Sequence, residues 1–158
     1  MKATRNWKLK DWLEAGAYAV AILGALAGAL VFLGNARSSA IDKNRSTLVR
    51  AWTNEGDVLS KETKFIDLVL EDHDGDVIGT IASPRLDEPL DVHADVGWFS
   101  TRLTITQLRG RAVAPVATVQ VKITGNDNRL SWQALDFQVP DYLPRATTLW
   151  PHPLAAQR

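Results

Sequence analysis

The pattern in this chain that most suggests chemistry is Asp91-Val92-His93-Ala94-Asp95, in which two carboxylates flank an imidazole at alternate positions. On a β-strand, alternate residues project from the same face, so the three polar side chains would lie in line. Carboxylate and imidazole groups together can ligate a metal ion or share a proton. The same alternation is typical of the solvated face of a half-buried strand, and in-line side chains point in parallel rather than converging. A solvated face is therefore the preferred interpretation, with Asp91, His93 and Asp95 as a weak candidate metal site.

A second acidic stretch, Glu71 to Asp76, resembles a calcium-binding loop in its closely spaced acidic residues and glycine. An EF-hand loop counted from Asp72 requires glycine at its sixth position and glutamate at its twelfth. Here glycine falls at the fourth position and Ser83 at the twelfth. The stretch instead predicts an acidic hairpin tip.

The composition excludes several classes of function. The absence of cysteine removes thiolate catalysis, disulfides and cysteine-type metal sites. The sequence has three histidines and no Gly-x-Ser-x-Gly, Gly-rich phosphate-loop or His-Glu-x-x-His motif. Its 18 basic and 18 acidic residues cancel, with no Lys/Arg-rich tract to follow a phosphate backbone. These observations predict a protein that is not an enzyme, binds no cofactor and has no nucleic-acid partner.

An uncharged segment from Ala15 to Leu33 predicts a membrane span. Its nineteen residues would form a helix about 29 Å long, close to the hydrocarbon thickness of a bilayer. It is preceded by residues of types that favour the headgroup interface, Trp7, Lys8, Lys10 and Trp12. The alternative is a cleaved signal peptide, because Ser38 to Ala40 offers small residues of the kind that signal peptidases accept. The apolar run is longer than the 7–15 residues that are usual for the apolar region of a signal peptide, which favours a retained anchor.

Two further features of this segment bear on its packing and orientation. Gly24 and Gly28 form a GxxxG pair, which allows close helix packing in lipid but also occurs by chance in apolar segments. An inert anchor and a span that forms homo-oligomers therefore both stay open. Four basic residues precede the segment and four follow it, so their count does not set the orientation. Because a short positive tail resists translocation, we expect the N-terminus inside and the following domain outside.

The rest of the chain predicts a small β domain. The organisation is a basic tail (1–14), a transmembrane helix (15–34), a linker or stalk (35–51), a barrel-like domain (52–151) and a C-terminal tail (152–158). About eight short alternating segments occur at spacings near a dozen residues, and Asp74-Gly75 suits a tight type I′ hairpin turn. The fold class is therefore mainly β, an antiparallel barrel or a sandwich behind one helix, and closure of strand edges favours the barrel.

The alternation also predicts which side chains point inward. The inward set is apolar, and it permits either a packed core or an apolar pocket, of which the core is preferred. Its members are Ile66, Leu68, Leu70, Val92, Val96, Leu103, Ile105, Val119, Val121, Ile123, Leu130 and Trp132. Aromatic residues near strand ends, Trp98, Phe99 and Trp150, are candidates for a surface that meets a partner protein or the bilayer.

Two resemblances follow from these residues. Trp52 in the first strand, within Arg50-Ala51-Trp52, and the meander that runs to Trp150 resemble the calycin-type barrels of the lipocalin-like group. A looser resemblance is to membrane-anchored β-barrel effectors of bacterial anti-phage signalling, which implies cyclic-nucleotide binding and disruption of the inner membrane. Those effectors carry two spans and a cytosolic barrel, whereas one span behind a positive tail predicts the opposite side.

The functional prediction is a non-enzymatic binding or interaction module, held in the bacterial inner membrane by one span, with its β domain periplasmic or extracellular. Its partners would be the bilayer and an unknown protein or small ligand. The alternative is a ligand-sensing barrel whose occupancy changes oligomerisation of the span, as the second resemblance implies.

Overall fold

One long helix precedes eight β-strands in the computed structural model of this protein. The structure describes residues 5–56, 64–109, 112–125, 129–137 and 143–152, without the side chains of residues 5–19, 109 and 137. The chain divides into two units, Met1–Ser39 and Ala40–Arg158. The elements are α1 (Arg5–Leu48), β1 (Ala51–Thr53), β2 (Asp67–His73), β3 (Asp76–Ala82), β4 (Leu90–Val96), β5 (Thr101–Arg109), β6 (Ala112–Thr124), β7 (Arg129–Phe137) and β8 (Ala146–Pro151).

The first unit contributes the apolar part of α1. The described segment Val20–Leu48 is long and apolar enough to cross a membrane. Its large apolar side chains expose more than half of their surface at positions 20, 22, 23, 26, 30, 31, 32 and 33. An apolar helix exposed all round is typical of a membrane span, and a signal sequence near an N-terminus meets the same criteria.

The second unit is a closed antiparallel barrel. Each strand pairs with the next along the chain, and β8 pairs with β1 through Trp52↔Pro151 and Thr53↔Trp150. The predicted mainly β fold, one apolar helix followed by an eight-stranded barrel, is therefore confirmed. Because the sheet closes on itself, each strand has a paired neighbour on both sides. Closure thus removes the free strand edges to which a second chain could pair, which is a common route to aggregation.

The β2–β3 turn has the backbone geometry that its sequence demands. Asp74 and Gly75 both have positive φ, 54° and 96°, as the two central residues of a type I′ turn require. The amide of Gly75 donates a hydrogen bond of 2.8 Å to Oδ1 of Asp72. The predicted hairpin at this acidic stretch is confirmed.

The inward side chains form one apolar cluster. Ten of the twelve predicted positions are buried, and Val96 and Ile123 are half-buried against the cluster. Trp52 and Trp132 are the largest fully buried side chains. Their indole N–H groups donate to the carbonyls of Leu48 and Pro144, each at 2.9 Å, so neither brings an unpaired donor into the interior. This arrangement is that of a packed core.

The last turns of α1 belong to the barrel. Leu48, near the end of the stretch 35–51 that the sequence predicts to be a linker or stalk, is only 1% exposed and lies in the core cluster. Val49 packs against the same cluster.

Candidate binding surfaces of the barrel

The β4–β5 turn presents a pair of stacked aromatic rings. The rings of Trp98 and Phe99 have centroids 4.6 Å apart and an interplanar angle of 21°. Trp98 is 39% exposed and Phe99 is 78% exposed. The amide of Gly97 donates to the carbonyl of Ser100 at 3.1 Å, and a Cβ at Gly97 would overlap that same carbonyl oxygen. Glycine at position 97 therefore permits the tight turn that projects the pair.

Side chains from two other elements hold this turn in place. Asn44, on α1, donates from Nδ2 to the carbonyls of Gly97 (3.0 Å) and Trp98 (2.9 Å). Gln120, on β6, donates from Nε2 to Oγ of Ser100 at 3.0 Å. A small cavity of about 190 Å³ lies between the end of α1, this turn and the β5–β6 sheet. The aromatic pair is thus fixed to the barrel and to the last turns of α1 by side-chain hydrogen bonds.

Trp150 occupies a different setting from the pair. It lies on β8, half-buried, with the guanidinium of Arg129 5.7 Å from the centre of its ring. A Cβ at Gly56 would lie 3.3–3.4 Å from the ring, so the backbone there packs closely on the indole. The structure brings together two of the three predicted aromatic residues and uses the third in packing.

The in-line acidic residues of β4 lie on its exposed face. Asp91, His93 and Asp95 are exposed and alternate with buried or half-buried positions. Across the sheet, Asp91 pairs with Thr106 and Asp95 with Arg102. Within the part of the chain that the structure describes, no three His, Cys, Asp or Glu residues come together in a way that could hold a metal ion. The geometry is that of a solvated strand face.

A groove on the outer wall was not anticipated from the sequence. It has a volume of about 430 Å³ and crosses strands β2 to β5. Val69 and Ile78 give it an apolar floor, each 37% exposed, while Glu71, Asp91 and His93 supply polar groups. Thr80 and Thr106 add hydroxyl groups, and Gly79 and Val92 complete the lining. The available signal was two apolar residues, Val69 and Ile78, at outward positions of neighbouring strands that are otherwise polar outside.

The GxxxG pair belongs to the first unit. Among the residues that the structure describes, a Cβ at Gly24 or Gly28 would meet no atom within 4 Å. Both positions therefore face open space on an exposed apolar helix, where a second helix could approach closely.

No protein-family model, curated protein or solved structure matches this chain. The assignment of a closed eight-stranded antiparallel barrel behind one N-terminal apolar helix therefore rests on the structure alone.

Proposed function

We propose that this protein is a membrane-anchored, non-enzymatic binding module whose calycin-like barrel works on the outer side of the bacterial inner membrane. The observation that carries the proposal is the stacked pair of Trp98 and Phe99, exposed at a turn that Asn44 and Gln120 hold. Large aromatic side chains in fixed positions are the residues that most often supply binding energy at protein interfaces. Their fixed geometry also lowers the entropy cost of association.

The exposed apolar helix supports the anchoring part of the proposal. Eight large apolar side chains between Val20 and Leu33 are mostly exposed, and lipid is the solvent that removes the free-energy cost of such a surface. The basic tail before the helix supports an inside N-terminus and an outside barrel.

The positions of the polar side chains support binding rather than catalysis. A general base must lie within hydrogen-bonding reach of the proton it removes, usually inside a site that excludes water. Asp91, His93 and Asp95 instead project side by side from an exposed face. The buried cluster inside the barrel is aliphatic and aromatic, whereas phosphate groups are bound by charged and N–H donors. Binding on the outer surface therefore accounts for the structure better than nucleotide binding within it.

Photo-crosslinking in living cells tests the binding surface. A photoreactive residue in place of Phe99 is expected to give a discrete crosslinked species that is lost when Trp98 is also changed to alanine. The matched control is the same photoreactive residue at Leu135, another exposed apolar position of the barrel. Equal crosslinking at positions 99 and 135, or none at position 99, would refute this surface.

Topology is tested with reporters fused after Arg158. A reporter active only outside the membrane is expected to work, and one active only inside is expected to fail. The reverse result would refute the proposed side, and a chain found cleaved after Ala40 would refute the anchor.

The second candidate is a ligand-sensing barrel coupled to oligomerisation of the span. The open space at Gly24 and Gly28 favours it, because a helix face without protein contacts is free to pack against another span.

A further inference from the structure

One wall of the barrel is strongly acidic, although the whole chain is neutral. The segment 65–100, which includes β2, β3 and β4 and lies wholly within the described residues, contains a single basic residue, Arg85. Its acidic residues are Asp67, Glu71, Asp72, Asp74, Asp76, Asp87, Glu88, Asp91 and Asp95. A surface with charge of one sign attracts ligands of the opposite sign and raises their local concentration.

The outer groove lies on this acidic wall, and the strand register fixes the order of its side chains. In one row across the strands, Val69 pairs with Thr80 and Thr80 pairs with Asp91. In the next row, Glu71 pairs with Ile78. Val69 and Ile78 are therefore diagonal neighbours on the outer face, with Glu71 on one side of the apolar pair and Asp91 on the other.

The described cations near the groove leave its two carboxylates available to a ligand. The imidazole of His73 lies 3.8 Å from the Glu71 carboxylate and carries charge only when protonated. Arg102 lies opposite Asp95, four residues along β4 from Asp91 and therefore about 13 Å from it. Because the groove presents negative charge on both sides of an apolar floor, an occupant that fits must combine positive charge with an apolar group.

The shape of the groove suits an extended segment of another protein. The groove crosses four strands, so three strand spacings of about 4.8 Å give it a length of about 14 Å. About four residues of extended chain cover that distance. Because the groove runs across the strands, its occupant cannot join the sheet as a further strand. The side chains of the occupant must therefore supply the recognition.

We infer that this groove binds a basic, extended segment of a partner protein, in which an aliphatic side chain packs on Val69 and Ile78. A lysine or arginine on each side of that residue pairs with Glu71 and Asp91. Exposed ion pairs add little affinity, so the aliphatic contact supplies most of it and the charges select the partner. This inference goes beyond the proposed binding at Trp98 and Phe99 and does not depend on it.

Methyl NMR of the full-length chain in lipid nanodiscs tests the groove with a defined probe, the peptide acetyl-Gly-Arg-Leu-Arg-Gly-amide. The methyl signals of Val69 and Ile78 are expected to shift saturably as this peptide is added. The methyl signals of Leu135, an exposed residue on β7, are expected to stay in place.

Two matched peptides separate the apolar contact from the charge. One has serine in place of the leucine, and the other has serine in place of both arginines. Each is expected to bind about fivefold more weakly or worse, because each lacks one of the two parts that the groove recognises.

A charge exchange separates loss of binding from loss of folding. The variant Glu71→Lys with Asp91→Lys is expected to lose the arginine peptide and to bind acetyl-Gly-Glu-Leu-Glu-Gly-amide, which the natural chain should not bind. A misfolded chain would not gain a new ligand. The matched control is Asp87→Lys with Asp136→Lys, two exposed positions outside the groove lining that change the net charge equally. This control is expected to keep the affinity for the arginine peptide.

Three results would overturn the inference. They are the absence of a saturable shift at Val69 and Ile78 with the arginine peptide, equal affinity for either serine-containing peptide, and failure of the charge-reversed variant to bind the acidic peptide. The photo-crosslinking at position 99 is read out separately, so failure here leaves the proposed function to be judged on its own result.

Discussion

Gly79 sits at an inward position of β3, between the buried residues Val77 and Ile81. A Cβ there would overlap the carbonyl oxygen of Val69 and lie 2.8 Å from its carbonyl carbon and 3.0 Å from Cα of Leu70. All three atoms belong to the backbone of β2, which cannot move aside as a flexible side chain can. The close approach of β2 and β3 beneath the outer groove therefore requires glycine at this position.

Replacement of Gly79 by alanine is expected to lower the free energy of unfolding of the barrel by about 1–3 kcal/mol, because the strands must separate locally to admit the methyl group. The free energy of unfolding is measured by urea denaturation, with the fluorescence of the buried tryptophans as the signal. The control is Thr80→Ala, an exposed position on the same strand. Equal stability of the two variants would contradict the steric argument.

Burial along the strands was predictable from alternation alone, as Leu68, Leu103 and Trp132 illustrate. The roles of Leu48 and Trp150 were not, because they depend on contacts with elements distant in sequence. The role of Gly79 was not predictable either, because alternation does not show how closely β2 and β3 approach each other. The stacked pair of Trp98 and Phe99 was predictable as exposed aromatic residues near a strand end. The hydrogen bond that holds this turn, from Asn44 to the carbonyl of Gly97, 53 residues later, was not.

At the level of elements, the last turns of α1 and the β4–β5 turn act as one structural piece. Asn44 supplies two hydrogen bonds to main-chain carbonyls of the turn, while Leu48 inserts into the core one helical turn later. These residues lie on the same helical face, since positions four apart are neighbours on a helix. A single face of α1 thus positions both the aromatic pair and the end of the barrel.

Replacement of Asn44 by alanine is expected to loosen the aromatic turn without unfolding the barrel. Loss of two hydrogen bonds, at about 1 kcal/mol each, should speed amide exchange at Gly97 by roughly tenfold or more. Hydrogen–deuterium exchange of the segment 97–100 measures this.

The control for this experiment is Ser46→Ala, which removes only a local hydrogen bond to the carbonyl of Lys43 on the same helix. Unchanged exchange in the Asn44 variant, or an equal rise in both variants, would show that the turn does not depend on Asn44.

At the level of the whole molecule, the apolar helix and the barrel differ in the polarity of their exposed surfaces. The side chains of Val20 to Leu33 form an exposed apolar surface, whereas the outward faces of β2 to β5 carry mostly polar side chains. The division between an apolar segment and a β domain was predictable from composition.

Substitution of Gly24 and Gly28 by isoleucine distinguishes the two proposed functions. If the span only anchors the barrel, membrane retention and crosslinking at position 99 should be unchanged, because a Cβ at either position would meet no atom of the described residues within 4 Å. If the span transmits a signal, the bulky side chains should prevent close helix packing and abolish activity.

Membrane fractionation and photo-crosslinking at position 99 measure the outcome of this substitution. The control is Gly34→Ile, where a Cβ also meets nothing within 4 Å but lies outside the GxxxG pair. Loss of crosslinking only in the double Gly24 and Gly28 variant would favour the sensing function over the simple anchor.

The ring closes through β1, a strand of three residues that pairs with β2 on one side and β8 on the other. During synthesis β1 leaves the ribosome soon after α1, but its partner on β8 appears almost a hundred residues later. Until β8 (Ala146–Pro151) has been synthesised, Trp52 lacks its pairing partner on β8 and β7 has an unpaired edge. Closure thus links completion of β8 to burial of the core, so a nascent chain cut off before that strand would present an unfinished sheet to cellular quality control.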